Sequence, residues 1–367
     1  MNRSATTFVI CRTVVLIGIG AASALFFSGC VTGMLADRIV AAPNRNGLSK
    51  ELRDPKVIAG TEANYATSWR EKVGPPAAEI AVAVIDPADY QFVSTVEFKP
   101  PVEDSREMVV TCKWNTELKA NGHLDPTVAP RATLVLLHGI MMSKESMHTW
   151  ALYFAQQGYR IVLVDLRGHG RSTGSWIGFG AWEVGDLTKV IDGLQQRQLL
   201  AGKLGVFGIS YGGAIAIQWA AHDSRIATVV ALAPLADPQV AIWDFARGID
   251  PQAAGKLSAA TFAQAEAKAA KRAGFSWNDV NVVEAIKRVR VPVLLFHGQR
   301  DTWIPPQHSE LLAAAAPPGS RRDVTPDDSH LSLALRFDLV GPPTLAWFEE
   351  KLAVEPAPAR PLTLISR

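Results

Sequence analysis

The sequence predicts an α/β protein with a doubly wound, mostly parallel sheet of about eight strands and a helical lid inserted after the sixth strand. Short apolar runs alternate with helical stretches, and such runs are typical of strands covered on both faces. One helical stretch is also too long for a simple crossover. The composition, 48% hydrophobic and 20% charged, argues against a disordered, collagen-like or polytopic membrane protein.

The chain opens with a segment typical of an export signal. Two arginines are the only charges in the first 36 residues, and an uncharged run extends from Thr13 to Ala36. Ser28-Gly29-Cys30 resembles the lipobox of bacterial lipoproteins, although Phe27 stands where leucine is usual. The resemblance implies a signal peptide over residues 1–29 and lipidation of Cys30. An uncleaved membrane helix stays open, since 24 uncharged residues can span a bilayer of about 30 Å.

Either version of this segment holds the chain at a membrane, and the lipoprotein version implies the envelope of a bacterium, facing the periplasm or the exterior. The two leader arginines account for the whole net charge of +2. The neutral remainder lacks the clustered basic surface that nucleic-acid binding needs, so no nucleic-acid partner is expected. The sequence does not indicate an oligomeric state.

Residues 30–78 are predicted to be a tether, because Pro, Gly, Asn and charges mix there without periodicity. Residues 79–352 are predicted to form one catalytic domain, and the Pro/Ala-rich residues 353–367 a tail. The domain begins with β-rich runs separated by turn signals, which we expect to be antiparallel strands leading into the sheet: Ile80 to Ile85, Tyr90 to Phe98 and Met108 to Trp114.

The middle of the chain carries the predicted parallel strands and crossover helices. Strands are predicted at Thr133 to Leu137, Arg160 to Val164, Leu204 to Phe207, Ile226 to Leu232 and Val291 to Phe296. Helices are predicted at Ser146 to Gln157, Ala181 to Leu199 and Tyr211 to Ala221. The Ala-rich residues 237–290 interrupt this alternation and are predicted to form the lid, over a site at the carboxyl ends of the strands.

A serine stands in a turn typical of a catalytic nucleophile. Gly208-Ile209-Ser210-Tyr211-Gly212 follows a predicted strand and precedes a predicted helix, the context that a G-x-S-x-G elbow requires. The flanking glycines let the backbone pass while Ser210 is pushed out at the strand tip. Because a serine hydroxyl is almost un-ionised at neutral pH, Ser210 needs a base, and the base needs an orienting acid.

The base and the acid are found near the C-terminus. His330 is the last histidine of the chain and precedes a predicted helix, whereas the preceding polar residues 320–326 predict an edge strand. His297-Gly298-Gln299-Arg300-Asp301-Thr302-Trp303-Ile304-Pro305 fits the H-G-x-x-D-x-x-[VI]-P pattern of the α/β-hydrolase superfamily. The chain resembles this superfamily from about Thr133 to Phe348, closest to its monoacylglycerol lipase-like and serine aminopeptidase-like branches.

The resemblance implies a catalytic triad of Ser210, Asp301 and His330. Asp237, which follows the sixth strand, is the alternative acid, although the start of the lid helix also favours it as an N-cap. In this family the residue after a His-Gly pair and the residue after the nucleophile donate the N–H groups of the oxyanion hole. These residues are Ile140 and Tyr211, and Met141 is the near alternative to Ile140.

Other motifs are assigned no catalytic role. Asp165-Leu166-Arg167-Gly168-His169-Gly170-Arg171-Ser172 resembles the D-x-R-G-x-G-x-S loop of the superfamily, in which Asp165 and Arg167 are expected to brace the loops near the site. The loop lacks the Lys-Ser/Thr that follows a phosphate-binding loop. No H-x-x-x-H or H-E-x-x-H spacing occurs, so no metal and no cofactor are expected.

These observations predict a membrane-anchored serine hydrolase that cleaves a carboxylic ester of a small-molecule acyl substrate through an acyl-enzyme. The lid contains five aromatic residues that favour an apolar acyl pocket: Trp243, Phe245, Phe262, Phe275 and Trp277. A serine peptidase, a thioesterase or an acyltransferase on the same triad stays open as an alternative. A non-catalytic envelope lipoprotein that keeps the fold as a binding module is the alternative from another class.

Overall fold

An eight-stranded sheet organises the part of the chain that carries the predicted site. The structure, a computed structural model, describes residues 6–9, 28–45, 54–99, 109–123, 129–353 and 363–366. Its strands are β1 Thr6–Val9, β2 Thr67–Val73, β3 Ala78–Ile85, β4 Ala88–Lys99, β5 Val109–His123, β6 Thr133–Leu137, β7 Arg160–Val164, β8 Leu204–Ile209, β9 Ile226–Leu232, β10 Val293–Gly298, β11 Arg321–Thr325 and β12 Thr363–Ser366.

Helices flank these strands through most of the described chain. They are α1 Ser28–Val40, α2 Pro55–Glu62, α3 His148–Ala155, α4 Glu183–Gln196, α5 Tyr211–Ala220, α6 Pro238–Ile249, α7 Pro251–Ala254, α8 Ala259–Ala273, α9 Val282–Ile286, α10 Gln307–Ala315, α11 His330–Leu333 and α12 Gly341–Leu352. The three crossover helices predicted from the sequence correspond to α3, α4 and α5.

The strand order of the eight-stranded sheet is β11-β10-β9-β8-β6-β7-β3-β2. The first six strands in this order, from β11 to β7 and including β6, pair in parallel with one another. In contrast, β3 pairs antiparallel with both β7 and β2. The predicted α/β class with a mostly parallel sheet of about eight strands is therefore confirmed. The polar strand β11 lies at an edge, as its sequence predicts.

The central strands are buried on both faces, which explains their wholly apolar sequences. Successive side chains of β6 point to opposite faces. Val135 and Leu137 pack with residues of α4 and α5, and Leu134 and Leu136 pack with residues of α3 and α12. Packing between these two layers of helices therefore fixes the position of the strand ends, where the predicted site residues lie.

Two of the three predicted antiparallel strands are not part of this sheet. Only β3 joins it, while β4 and β5 pair with each other in a separate four-stranded sheet of order β1-β5-β4-β12. The sequences of β4 and β5 alternate apolar and polar residues, which is typical of a sheet with one solvated face. In contrast, β3 is a continuous apolar run of the kind that a doubly covered sheet requires.

The segment predicted to be a tether contains ordered elements. Helices α1 and α2 and the edge strand β2 lie within it, and Ala36 and Val40 of α1 are fully buried. The amphipathic spacing of α1 directs these residues into the core beside the lid helix α8. Residues 46–53 of the predicted tether lie outside the described residues.

The segment between β9 and β10 is helical, with α6, α7, α8 and α9, as the predicted lid requires. Most of the predicted signal peptide, residues 10–27, lies outside the described residues, as do residues 354–362 of the predicted tail. Among the residues that the structure describes, no helix is both long and apolar enough to cross a bilayer.

Two buried histidines are expected to make the fold sensitive to acid. Burial lowers the pKa of His138 to about 4, and burial together with the neighbouring His138 lowers the pKa of His169 to about 3. The ordinary histidine pKa is about 6.5. Between about pH 6.5 and pH 4 the unfolded chain therefore binds protons that the folded chain does not, so the free energy of unfolding should fall as the pH falls through this window.

Urea unfolding between neutral pH and about pH 4.5 measures this loss, which should approach about 1.4 kcal/mol per pH unit for each histidine. His169→Asn is the informative variant, because the asparagine amide can replace Nδ1–H, which donates to the Arg167 carbonyl over 2.9 Å. The variant should show a shallower slope than the parent. An unchanged slope would remove His169 from this account.

Candidate active site

Ser210 occupies the sharp turn between β8 and α5. Its backbone lies at φ 54° and ψ −116°, a conformation that costs a non-glycine residue about 1–3 kcal/mol. Its N–H donates to the Leu232 carbonyl over 2.7 Å, which fixes the turn against β9. A Cβ on Gly208 would overlap the Gly212 carbonyl, and one on Gly212 would overlap the carbonyls of residues 137 and 138. Glycine at both positions is therefore a steric requirement of the turn.

The structure brings Ser210, His330 and Asp301 together in one hydrogen-bonded chain. Nε2 of His330 lies 2.9 Å from Oγ of Ser210, and its Nδ1 lies 2.6 Å from Oδ2 of Asp301. The three residues come from the ends of β8, β10 and β11, at the carboxyl edge of the sheet. Ser210 is 7% exposed, Asp301 4% and His330 9%, so bulk water has little access to the chain of hydrogen bonds.

The environment of Asp301 keeps its carboxylate ionised. Burial alone would raise the pKa of Asp301, but hydrogen bonds from His297 and His330, with the N–H of Ile304, outweigh burial and hold the pKa well below its usual value. The carboxylate therefore accepts a hydrogen bond from the Nδ1–H of His330 and keeps the proton on that nitrogen. This leaves the lone pair of Nε2 directed at the Ser210 hydroxyl, as a general base requires.

Asp301 and His330 are also fixed by their neighbours. Oδ1 of Asp301 accepts hydrogen bonds of 2.9 Å from the N–H groups of both Trp303 and Ile304. His297 donates through Nε2 to the Ile304 carbonyl over 2.7 Å, and this atom also lies 3.3 Å from Asp301 Oδ2. The Trp303 ring lies over His330 with centroids 5.6 Å apart. The H-G-x-x-D-x-x-I-P stretch thus folds as one loop around the carboxylate.

The alternative acid Asp237 and the two aspartates that precede His330 have other partners. Asp237 caps α6 by accepting from the N–H groups of residues 239 and 240, and it accepts from the side chain of Asn281 over 2.8 Å. Asp328 pairs with Arg336 and accepts from Ser332, while the exposed Asp327 pairs with Arg300. The N-cap of α11 is Ser329, and neither Asp327 nor Asp328 takes that position.

The predicted oxyanion-hole residues border the same cavity as Ser210. Ile140 and Met141 follow β6, and Tyr211 is the first residue of α5. Within residues 129–353, the backbone N–H groups of these three residues donate no hydrogen bond. The N–H of Tyr211 also lies at the positive end of the α5 dipole. All three are therefore available to an anionic oxygen, and Met141 stays open as the alternative to Ile140.

A buried glutamate, not singled out from the sequence, fixes the residue after Ser210. The Tyr211 hydroxyl donates to Oε1 of Glu183 over 2.9 Å and accepts from the Phe179 N–H over 3.1 Å. Glu183 also accepts from the N–H groups of Gly178 and Gly180. The position of Glu183 shortly after Gly178-Phe179-Gly180 was the sequence signal that could have indicated this contact. A carboxylate at the start of a helix often accepts hydrogen bonds from the N–H groups of the preceding loop.

The Asp165–Ser172 loop is structural, in agreement with its interpretation from the sequence. The carboxylate of Asp165 accepts two hydrogen bonds from Lys144, one from the backbone N–H over 2.7 Å and one from Nζ over 2.8 Å. Arg167 makes two parallel hydrogen bonds to Asp186, of 2.8 and 2.6 Å. All four side chains of these two pairs are buried. In residues 129–353 and the other described ranges, no three His, Cys, Asp or Glu residues cluster as a metal site would require.

A cavity of about 440 Å³ opens beside Ser210. This volume is in the usual range for small-molecule sites. Its wall is mainly apolar and includes Ile177, Phe179, Leu235, Ala241, Ile242, Phe245, Ala254, Leu257, Phe262 and Ile304. The charged residues among those that line it are Arg38 and Asp250.

Only two of the five aromatic residues expected in the acyl pocket line this cavity, namely Phe245 and Phe262. Phe275 and Trp277 pack instead on Phe179, at centroid distances of 6.3 and 5.4 Å, and hold the lid against the body. Trp243 packs on Phe262 from outside the lining. The aromatic content of the lid was a partial guide, because sequence does not separate residues that line a pocket from those that attach a lid.

Comparison with known proteins agrees with this fold. Residues 128–287 match the model of the family described as serine aminopeptidase, S33, which is less than half of the chain and includes Ser210. An uncharacterized Bacillus subtilis protein, YqkD, is 28% identical over 192 residues, which are 52% of this chain and 61% of that protein. The chain thus matches about three fifths of the length of this relative.

Two solved structures of hydrolases share this fold. An esterase of Pyrococcus furiosus superposes with a TM-score of 0.53 at 19% identity, covering 79% of this chain and 94% of that one. A puromycin-hydrolyzing peptidase of Mycobacterium tuberculosis superposes with a TM-score of 0.52 at 18% identity, covering 81% of this chain and 41% of that one. At such identities the likeness defines the fold alone. The chain has the α/β-hydrolase fold.

Proposed function

We propose that the protein is a serine hydrolase that cleaves a carboxylic ester, with Ser210 as nucleophile, His330 as general base and Asp301 as orienting acid. The hydrogen-bonded chain from Asp301 through His330 to Ser210, beside an apolar cavity, is the observation that carries this proposal. A serine with a base at 2.9 Å, itself oriented by a carboxylate, is the arrangement that activates a hydroxyl.

The reaction proceeds in two halves. His330 Nε2 takes the proton of Ser210 as Oγ attacks the acyl carbonyl, and the N–H groups of Tyr211 and Ile140, or Met141, stabilise the oxyanion. Each such donor contributes about 2.7–4 kcal/mol to lowering the barrier. The oxyanion collapses to an acyl-enzyme while His330 returns the proton to the leaving alcohol. Water, activated by His330, then releases the acid and restores Ser210.

The apolar cavity favours an acyl ester over a peptide. An aminopeptidase must bind the charged amino group of its substrate, for which a carboxylate is the usual partner. Among the described residues that line the cavity, Asp250 alone carries a carboxylate, and the cationic Arg38 belongs to the same lining. The family description and the peptidase structure nevertheless make a peptidase the second candidate. A thioesterase or an acyltransferase would use the same acyl-enzyme.

A fluorophosphonate probe tests the proposal directly. The native protein should be labelled, the heat-denatured protein should not, and mass spectrometry should locate the phosphonyl group on Ser210. Turnover of p-nitrophenyl esters, acyl thioesters and aminoacyl amides, each with and without an acceptor alcohol, then separates the four activities. A native protein that neither labels nor turns over any of these substrates would leave a binding module as the function.

We further propose that the chain is a lipoprotein of the bacterial cell envelope, attached through Cys30. Support comes from the sequence, in which Ser28-Gly29-Cys30 ends the apolar core of an export signal. Attachment of a diacylglyceryl group to Cys30 would provide two acyl chains, enough for stable membrane association.

Metabolic labelling with a clickable fatty acid tests this attachment. The unaltered chain and Cys112→Ala should both be labelled, and Cys30→Ala should not. Equal labelling of Cys30→Ala would refute the lipoprotein assignment. If Cys30→Ala and the unaltered chain are both unlabelled and both sediment with membranes, the uncleaved helix is the better assignment.

A further inference from the structure

Helix α1 forms part of the wall of the Ser210 cavity. Leu35, Arg38 and Ile39 line the cavity from this helix, and Ala41 and Pro43 continue the lining just beyond its end. Leu35 and Ile39 are four residues apart and therefore share one face of the helix. A segment expected only to connect the chain to a membrane thus contributes side chains to the candidate active site.

This position of α1 is fixed by contacts on two sides. On the lid side, Arg272 of α8 forms an ion pair of 2.7 Å with Asp37 and donates to the Gly33 carbonyl, while Lys268 of α8 donates to Thr32. The fully buried residues of α1 add apolar contacts to this side.

On the body side, the backbone is bound to the loops that follow β7. The N–H of Ala42 donates to the Ser175 carbonyl over 3.1 Å, and the N–H of Ile177 donates to the Val40 carbonyl over 2.9 Å. Because α1 is held on both sides, the positions of Leu35 and Ile39 relative to Ser210 are defined by the fold.

We propose that Leu35 and Ile39 are specificity-determining residues that set the longest acyl chain the cavity accepts. This inference rests on the proposed function and narrows its substrate class to esters whose acyl chain extends from Ser210 to α1. Apart from Asp250, the residues that the lid contributes to the lining are apolar, and they include Ala254, Leu257 and Phe262. An unbranched hydrocarbon chain is the ligand chemistry that suits such a wall.

Substitution of Leu35 tests the proposal. Each methylene that finds apolar contact contributes about fourfold in binding. Leu35→Trp, which places a larger side chain at the α1 wall and so shortens the space for an acyl chain, should lower the ratio of kcat/KM for a hexadecanoyl ester to that for a butanoyl ester by about tenfold or more. Ile39→Trp should act in the same direction, and Leu35→Ala should raise the ratio.

Met34→Trp is the matched control. Met34 is the neighbouring residue of the same helix, is 56% exposed and does not line the cavity, so the ratio should not change. If folded Leu35→Trp protein keeps the parental ratio within about twofold, or if Leu35→Ala and Leu35→Trp shift the ratio in the same direction, the proposal is wrong.

A binding measurement separates this proposal from the proposed function. The Ser210→Ala protein, which retains the cavity, is titrated with a fluorescent polyene fatty acid. Adding Leu35→Trp should weaken binding about tenfold or more, and adding Met34→Trp should leave it unchanged. These results would support α1 as the wall even if the protein hydrolyses no ester. Unaltered binding by the Leu35→Trp double variant would overturn the role of α1, whatever the enzyme activity.

Discussion

Replacing Ser210 by alanine should lower kcat for the best ester substrate by about 10⁶-fold and leave KM nearly unchanged. Without Oγ no acyl-enzyme can form, so the remaining rate comes only from substrate positioning and the oxyanion donors. Oγ contacts His330 across the 2.9 Å hydrogen bond, and its loss leaves the surrounding backbone in place. Steady-state kinetics with p-nitrophenyl esters measure the loss, and circular dichroism shows that the variant is folded.

Ser224→Ala is the matched control for this variant. Ser224 is an exposed serine in the loop between α5 and β9, away from the cavity, so its replacement should leave kcat unchanged. Residual activity of Ser210→Ala above about one hundredth of the parental rate would mean that another nucleophile carries the reaction.

Replacing Asp301 by asparagine should lower kcat by about 10⁴-fold. The carboxylate accepts a hydrogen bond of 2.6 Å from the Nδ1–H of His330, whereas an asparagine amide at this position can donate one to Nδ1 instead. Such a donor favours the imidazole tautomer with its proton on Nε2, which cannot accept the proton of Ser210. The measurement is kcat for the same esters, together with the rate of fluorophosphonate labelling, which should fall with it.

Asp237→Asn is the control for this prediction, because Asp237 was the alternative acid. Asparagine is as good an N-cap as aspartate, so α6 should persist and the activity should stay within about threefold of the parent. The reverse result, with Asp237→Asn inactive and Asp301→Asn active, would show that the acid comes from the end of β9.

The candidate site was predictable from sequence where backbone geometry restricts residue choice. The turn at Ser210 requires glycine at 208 and 212, and the loop around Asp301 requires a compact stretch that encloses the carboxylate. Such short-range requirements leave a recognisable pattern of residues. The motif around Asp301 favoured it as the acid, but the sequence left Asp237 open, because both aspartates follow strands that end at the same edge of the sheet.

The contribution of α1 was less accessible from sequence. Its buried residues, Ala36 and Val40, are separated by one helical turn, but thirteen residues with a mixed composition are a weak signal against the surrounding polar segment. The helix depends on packing against α8, about 230 positions further along the chain, and sequence periodicity does not specify such partners. Glu183 was overlooked for the same reason, since its partner Tyr211 lies in another helix.

The position of α1 bears on how far the protein could move from a bilayer. A flexible tether over residues 30–78 could extend to about 160 Å. With Cys30 in the first turns of α1, a lipid attached there would instead lie about 8 Å along the helix axis from Leu35. The candidate active site would then be confined to the membrane surface. Substrate would arrive by lateral diffusion in the lipid layer, and the rate would follow the mole fraction of substrate in that layer rather than its bulk concentration.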